Sequence, residues 1–316
     1  MRRLAEDSIV STGRVPVLIP RMKMYLASVL TGALLSGPGC GTEIIPIPIP
    51  CPPCVDTPES VCSDIELEDG RTIRTEYSPG DPNLPLIIGI HGFGGTYNDV
   101  GLIFPKGSFP TLALSLPGSL CSDRLPNGTV HTIATCTDAL EKLLEHHRGL
   151  IDQFGDRNVI IAGASFGALV VADYFARHPS SEISAIIIAG QDTPQKGGTI
   201  DVIEWYLKIV DVFFPLADNT HLQQYLASTR VFDVSREIGS TRNRWLIIGP
   251  ADDDVAPGAR AMAGRLGERA RFVEIPGDHF VLLAAGDDIR QIVLDNLDFL
   301  LLRESDQKGA MSGWRR

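Results

Sequence analysis

Residues 158–178 read N-V-I-I-A-G-A-S-F-G-A-L-V-V-A-D-Y-F-A-R-H. A β-branched run, Val159–Ala162, enters a Gly-x-Ser-x-Gly turn. An apolar face at 3.6-residue spacing leaves it through Ala168, Leu169, Ala172, Phe175 and Ala176. A strand that turns directly into a helix needs residues without side chains on either side of the bend, and Gly163 and Gly167 supply them. Ser165 is thereby pushed out of its backbone above a helix N-terminus, where amide groups and the helix dipole favour developing negative charge. A Gly-rich turn alone would explain the two glycines but not what surrounds them.

Upstream, L-P-L-I-I-G-I-H-G-F-G-G (Leu84–Gly95) is a buried-type strand running into a glycine-rich turn. Downstream lie R-W-L-I-I-G-P-A-D-D-D-V-A-P (Arg244–Pro257) and R-F-V-E-I-P-G-D-H-F (Arg271–Phe280). Serine, acid and histidine thus follow one another in the chain, each at the end of an apolar strand. That order and placement resemble the α/β-hydrolase superfamily over about Ile65 to Arg303. The resemblance implies a doubly wound, mostly parallel α/β sheet and a nucleophilic serine. Dehalogenases and epoxide hydrolases of this fold carry an aspartate where this chain has Ser165.

A serine hydroxyl needs a base to take its proton. His279, after a strand and a Pro-Gly turn, is the candidate. His91 is its rival by position, but it opens the glycine turn and is expected to anchor that loop. The acid that orients the histidine must come from a strand end. The family spacing of a glycine, two residues, an aspartate, then valine and proline selects Asp252, with Val255 and Pro257 behind it. Asp253, Asp254 and Asp192 remain alternatives, the last because some lipase-like members place their acid after the preceding strand. By the same resemblance, the oxyanion-hole donors are the backbone amides of Phe93 and Phe166.

Composition is compatible with one catalytic domain at about 61–310. The chain has 316 residues, 44% of them hydrophobic, and a formal net charge of −11. That balance argues against nucleic acid, which requires clustered Lys and Arg. No P-loop Lys-Ser/Thr follows the glycine turn, and the cysteines lack a convincing fourth zinc ligand, so neither cofactor nor metal is expected.

The amino-terminal region reads differently. Arg21 and Lys23 precede an apolar stretch from Met24 to Leu35, then small residues and Cys40. This is the pattern of an export signal, and a membrane span would need ~20 apolar residues. Cysteine after small residues resembles a bacterial lipobox, which would make Cys40 the lipidated first residue of the mature protein. Gly37 and Pro38 depart from that pattern. Residues 1–39 are read as the signal segment, with Met22 or Met24 as possible initiators. Residues 40–60 are read as a tether, because the prolines of I-I-P-I-P-I-P-C-P-P-C (Ile44–Cys54) enforce an extended polyproline conformation. The membrane is then a partner through the anchor only. Six cysteines in an exported chain point to disulfides, and Cys121 with Cys136 is the favoured pair.

Strands are expected at Leu86–Ile90, Thr111–Leu116, Val159–Ala162, Ala185–Ala189, Trp245–Gly249 and Phe272–Ile275, alternating with helices. Residues 62–78 suit an entry hairpin. Residues 194–240 interrupt the alternation and are expected to form a small helical cap. Within it Asp201–Phe214 is apolar on most sides, with Trp205, Phe213 and Phe214 at different angles, as a lid over an acyl pocket would be. The expected activity is a carboxylesterase acting on a small-molecule ester. A thioesterase, an amidase, a C–C bond hydrolase or a non-catalytic binding protein of the same fold would be the alternatives.

Overall fold

The computed structural model describes residues 56–301 apart from 58–59, 68–69, 120, 124, 126–128, 196–197, 199, 202, 205–206, 208–219, 280 and 282–284. All described residues belong to one compact unit, Pro46–Arg316. The signal segment, Cys40, most of the tether, residues 302–310, and Trp205, Phe213 and Phe214 of the expected lid lie outside the described residues. Among the described residues no helix is long and apolar enough to cross a membrane.

Eight strands form one sheet: β1 (Val61–Glu66), β2 (Thr72–Ser78), β3 (Leu86–Ile90), β4 (Thr111–Leu114), β5 (Val159–Ala164), β6 (Ser184–Ile188), β7 (Trp245–Pro250) and β8 (Ala270–Ile275). Their order is β1-β2-β4-β3-β5-β6-β7-β8. β2 runs antiparallel to β1 and β4, so the entry hairpin forms the antiparallel edge. From β4 to β8 every pairing is parallel. Central strands buried on both faces carry apolar residues at every position, and their two-residue alternation divides them between two cores. Ile88, Ile161, Ile187 and Ile247 face one core. Ile87, Ile160, Ile186 and Leu246 face the other.

Helices cover both faces. The first core is closed by α2 (Ile133–His146), α4 (Phe166–Arg177) and α7 (Ala256–Leu266). The second is closed by α1 (Tyr97–Ile103), α8 (Gly286–Asp295) and α9 (Leu297–Leu301). α2 ends at His147, and α3 (Arg148–Phe154) follows directly. At this junction His147 Nε2 lies 3.2 Å from Thr75 Oγ1 on β2, a contact that ties it to the sheet. Burial, reinforced by neighbouring His146, pushes its pKa down to about 4.

Between β6 and β7 the chain leaves the sheet and forms α5 (Thr220–Val231) and α6 (Ser235–Ile238). Gly198, Ile200, Asp201, Ile203, Glu204 and Leu207 are also helical. The neck of this excursion is stitched to itself: the Val234 amide donates to Asp192 O (2.9 Å) and the Gln195 amide to Thr229 O (3.1 Å).

The cysteine expectation is corrected. Cys136 is a free thiol, fully buried in the first core, and therefore does not pair with Cys121. Burial pushes its pKa up to about 12. Cys62 and Cys121 are each engaged in a disulfide.

Candidate active site

The site is built at the carboxyl ends of β3, β5, β7 and β8, where parallel strands all release their loops on the same edge. β5 ends at Ala164, and Ser165 takes φ 53° and ψ −116°, a conformation that L-residues rarely adopt. The strain is held from both sides. The Ser165 amide donates to Ile188 O of β6 at 2.8 Å. A Cβ on Gly163 would lie 2.3 Å from Gly167 O, and one on Gly167 would lie 2.4 Å from Ile90 O. Both glycines are thus required by close approach of helix to strand.

Ser165 Oγ lies 2.7 Å from His279 Nε2. On the other side of the ring, His279 Nδ1 lies 2.7 Å from Asp253 Oδ2. The carboxylate accepts a hydrogen bond from Nδ1–H, which leaves Nε2 as the acceptor for the serine hydroxyl. Asp253 is fully buried as a side chain. Burial pushes its carboxyl up, but the hydrogen bond and charge of His279 outweigh that and hold it below the usual carboxylate range. Its second oxygen, Oδ1, accepts from the Val255 amide at 3.3 Å.

The structure does not bring Asp252 to His279; it brings Asp253. The displacement of one residue arises in the exit loop of β7. Backbone pairing with the β8 side continues beyond the expected strand end, from the Ala251 amide to Ile275 O (2.8 Å) and from the Asp252 amide to Gly277 O (2.9 Å). A turn then closes from the Asp253 amide to Pro250 O (3.2 Å). Consecutive side chains diverge, so Asp252 is exposed while Asp253 is buried. The Asx-type contact from Asp253 to the Val255 amide, two residues on, is the local signal that the glycine-counting rule overlooked.

The other candidates occupy separate positions. His91 is buried, donates from Nδ1 to Gly92 O (2.7 Å) and accepts at Nε2 from the Leu116 amide (2.9 Å). Burial lowers its pKa, so it is a neutral brace for the glycine turn. Asp192 points away from His279 into a two-point ion pair with Arg265 of α7, Nε to Oδ2 being 3.0 Å. Asp254 is exposed but lines the cavity beside Ser165.

Phe93 and Phe166 flank the same cavity as Ser165 and His279. The Phe166 amide is the first of α4, so it has no acceptor within the helix. Among the described residues the Phe93 amide also has no acceptor. The cavity measures about 20 Å³, room for about one or two waters. Gln195, Ile200, Ile203, Leu226 and Thr229 of the β6–β7 excursion form its far wall. An aligned hydroxyl, imidazole and buried carboxylate beside two available amides can activate an oxygen nucleophile and stabilise an oxyanion.

A family model described as the alpha/beta hydrolase fold matches residues 85–236. That span contains Ser165 and ends before Asp253 and His279. No curated protein matches the chain by sequence. Among solved structures, an esterase from Exiguobacterium antarcticum is similar with a TM-score of 0.59 at 16% identity, covering 74% of this chain and 98% of its own. A bromoperoxidase from Bacillus anthracis is similar with a TM-score of 0.59 at 17% identity, covering 75% and 99%. The thioesterase domain from the curacin biosynthetic pathway gives 0.54 at 12% identity, covering 75% and 99%. The strand order, the strained turn after β5 and the family match agree that the chain has the alpha/beta hydrolase fold.

Proposed function

We propose that the protein is a serine hydrolase, a carboxylesterase, that works through an acyl-enzyme on Ser165. One observation carries the reading: two 2.7 Å contacts in series join Ser165 Oγ, His279 and buried Asp253. In the reaction, His279 Nε2 takes the hydroxyl proton as Oγ attacks the ester carbonyl. Asp253 holds the ring in the required tautomer and stabilises the imidazolium. The Phe93 and Phe166 amides receive the oxyanion, and His279 returns its proton to the departing alkoxide. Water then repeats the sequence and releases the acid.

Labelling with a fluorophosphonate tests the nucleophile: the adduct should map to Ser165 by mass spectrometry. Matched oxygen and sulfur esters then separate carboxylesterase from thioesterase, the activity named for one of the similar structures. Equal labelling of a Ser165→Ala variant would overturn the reading.

We also propose that the chain is exported and anchored through a lipid on Cys40, the Pro-rich segment holding the catalytic domain off the membrane. The support is the sequence order of charged, apolar and small residues before Cys40. A palmitate analogue should tag the wild-type protein and not Cys40→Ser; an untagged wild-type protein would refute the anchor.

A further inference from the structure

Two glutamines sit four residues apart at the neck of the β6–β7 excursion, each 7% exposed. Their side chains are treated differently by the fold. Gln191 Nε2 donates to Thr193 O and to Pro194 O, both at 3.1 Å. Gln195 is fixed by its backbone, whose amide donates to Thr229 O at 3.1 Å. Its carboxamide makes no hydrogen bond among the described residues. It lies in the wall of the catalytic cavity with Ser165 and His279.

A carboxamide with two donors and an acceptor that faces a catalytic cavity without a protein partner is available to a polar group of the substrate. Among the described lining residues Phe93, Ile200, Ile203, Leu226 and Val255 are apolar and the Thr229 hydroxyl already donates to Leu226 O at 2.8 Å, so the polar groups that share the cavity with Gln195 are those of Ser165, His279 and Asp254. The cavity adjoins Ser165, so the acyl group, which stays bonded to Oγ through both half-reactions, is the part of the substrate that lies against it. Asp254 places a carboxylate on the same wall, which makes an anionic group the poorer fit.

We infer that Gln195 is the specificity-determining residue, and that the acyl group it selects carries a neutral hydrogen-bonding function, an amide, next to the scissile carbonyl. This rests on the acyl-enzyme reading of Ser165. A site that hydrogen-bonds a substrate group discriminates against analogues lacking it far more strongly than an apolar pocket discriminates by size.

Three methyl esters of matched shape test it: methyl malonamate (neutral amide), methyl isovalerate (the apolar isostere) and monomethyl malonate (carboxylate). The readout is kcat/KM for malonamate over isovalerate, divided by the ratio of their hydroxide-catalysed rates to remove intrinsic reactivity. In wild type this normalised preference should exceed about 10, and in Gln195→Leu it should fall roughly 10- to 100-fold. The wild-type value stands alone if the variant does not fold. A wild-type preference near one, a preference unchanged in Gln195→Leu, or monomethyl malonate as the best substrate would overturn the inference. Failure of the acyl-enzyme reading looks different: no fluorophosphonate adduct on Ser165 and no turnover of any of the three esters.

Discussion

Replacing Asp253 by asparagine removes one charge from a buried pair and changes almost nothing in volume. The carboxylate Oδ2 is 2.7 Å from His279 Nδ1 and its side chain is fully buried. In the proposed mechanism His279 becomes an imidazolium in the transition state, and charges about 4 Å apart at an effective dielectric near 20 attract by about 4 kcal/mol. The charge-assisted hydrogen bond is part of that attraction, and about 4 kcal/mol corresponds to about 10³ in kcat, since each ~1.4 kcal/mol is tenfold. In an established Ser-His-Asp triad the same replacement costs about 10⁴, because asparagine also imposes the wrong histidine tautomer. Steady-state hydrolysis of p-nitrophenyl acetate provides the assay, with Asp252→Asn as the control. Because Asp252 is exposed, its substitution should change kcat by less than about threefold. A stability comparison adds a second readout. The Asp253 carboxyl is lowered in the folded state, so its contribution is present above the ordinary carboxylate value, about 3.9, and is lost as pH falls through its folded value. The stability gap between wild type and Asp253→Asn should therefore narrow on acidification below about pH 4. If Asp253→Asn retains activity within about tenfold of wild type, or Asp252→Asn loses as much, the acid has been misassigned.

Ser165→Ala should lower kcat by several orders of magnitude and abolish the fluorophosphonate adduct while leaving the thermal transition cooperative. Gly167→Ala would force a Cβ to 2.4 Å from Ile90 O and 2.5 Å from His91 O; the expected cost of about 1–3 kcal/mol should lower Tm by roughly 2–12 °C in a differential scanning measurement. Arg265→Met leaves the fully buried Asp192 carboxylate without its cation, and breaking such a pair costs about 3–5 kcal/mol; adding Asp192→Asn should restore much of it. Burial, opposed by Arg265, already raises the Asp192 carboxyl, so its contribution is greatest at low pH and declines as pH rises through the folded value. The Arg265→Met deficit should accordingly be larger at pH 8 than at pH 5, and equal deficits would refute that account.

Most of the fold is written in local patterns. The apolar runs at Leu86–Ile90, Val159–Ala162 and Trp245–Gly249 suit strands buried on both faces, and the structure places strands there. The Gly163 and Gly167 spacing demanded a turn that no larger residue could make. His279 followed from chain order, and His91 from its place at the mouth of a glycine turn. These are properties of a few consecutive residues, so the sequence by itself determined them.

Tertiary structure decided whatever depended on where two distant segments meet. Three consecutive aspartates are indistinguishable by composition, and the choice of Asp253 depends on how far the β7 exit remains paired with residues after β8. The Cys121–Cys136 pair is excluded because Cys136 packs into the core under α2 rather than toward Cys121. Asp192 is assigned to Arg265, 73 residues away, instead of to His279. His147 is tied to Thr75, 72 residues upstream. Gln195 acquires meaning only because the excursion folds back to place it beside Ser165. Periodicity and turn chemistry are short-range, whereas the register of a side chain against a partner one hundred residues away is set by sheet pairing and packing, and one residue of slip exchanges a buried carboxylate for an exposed one.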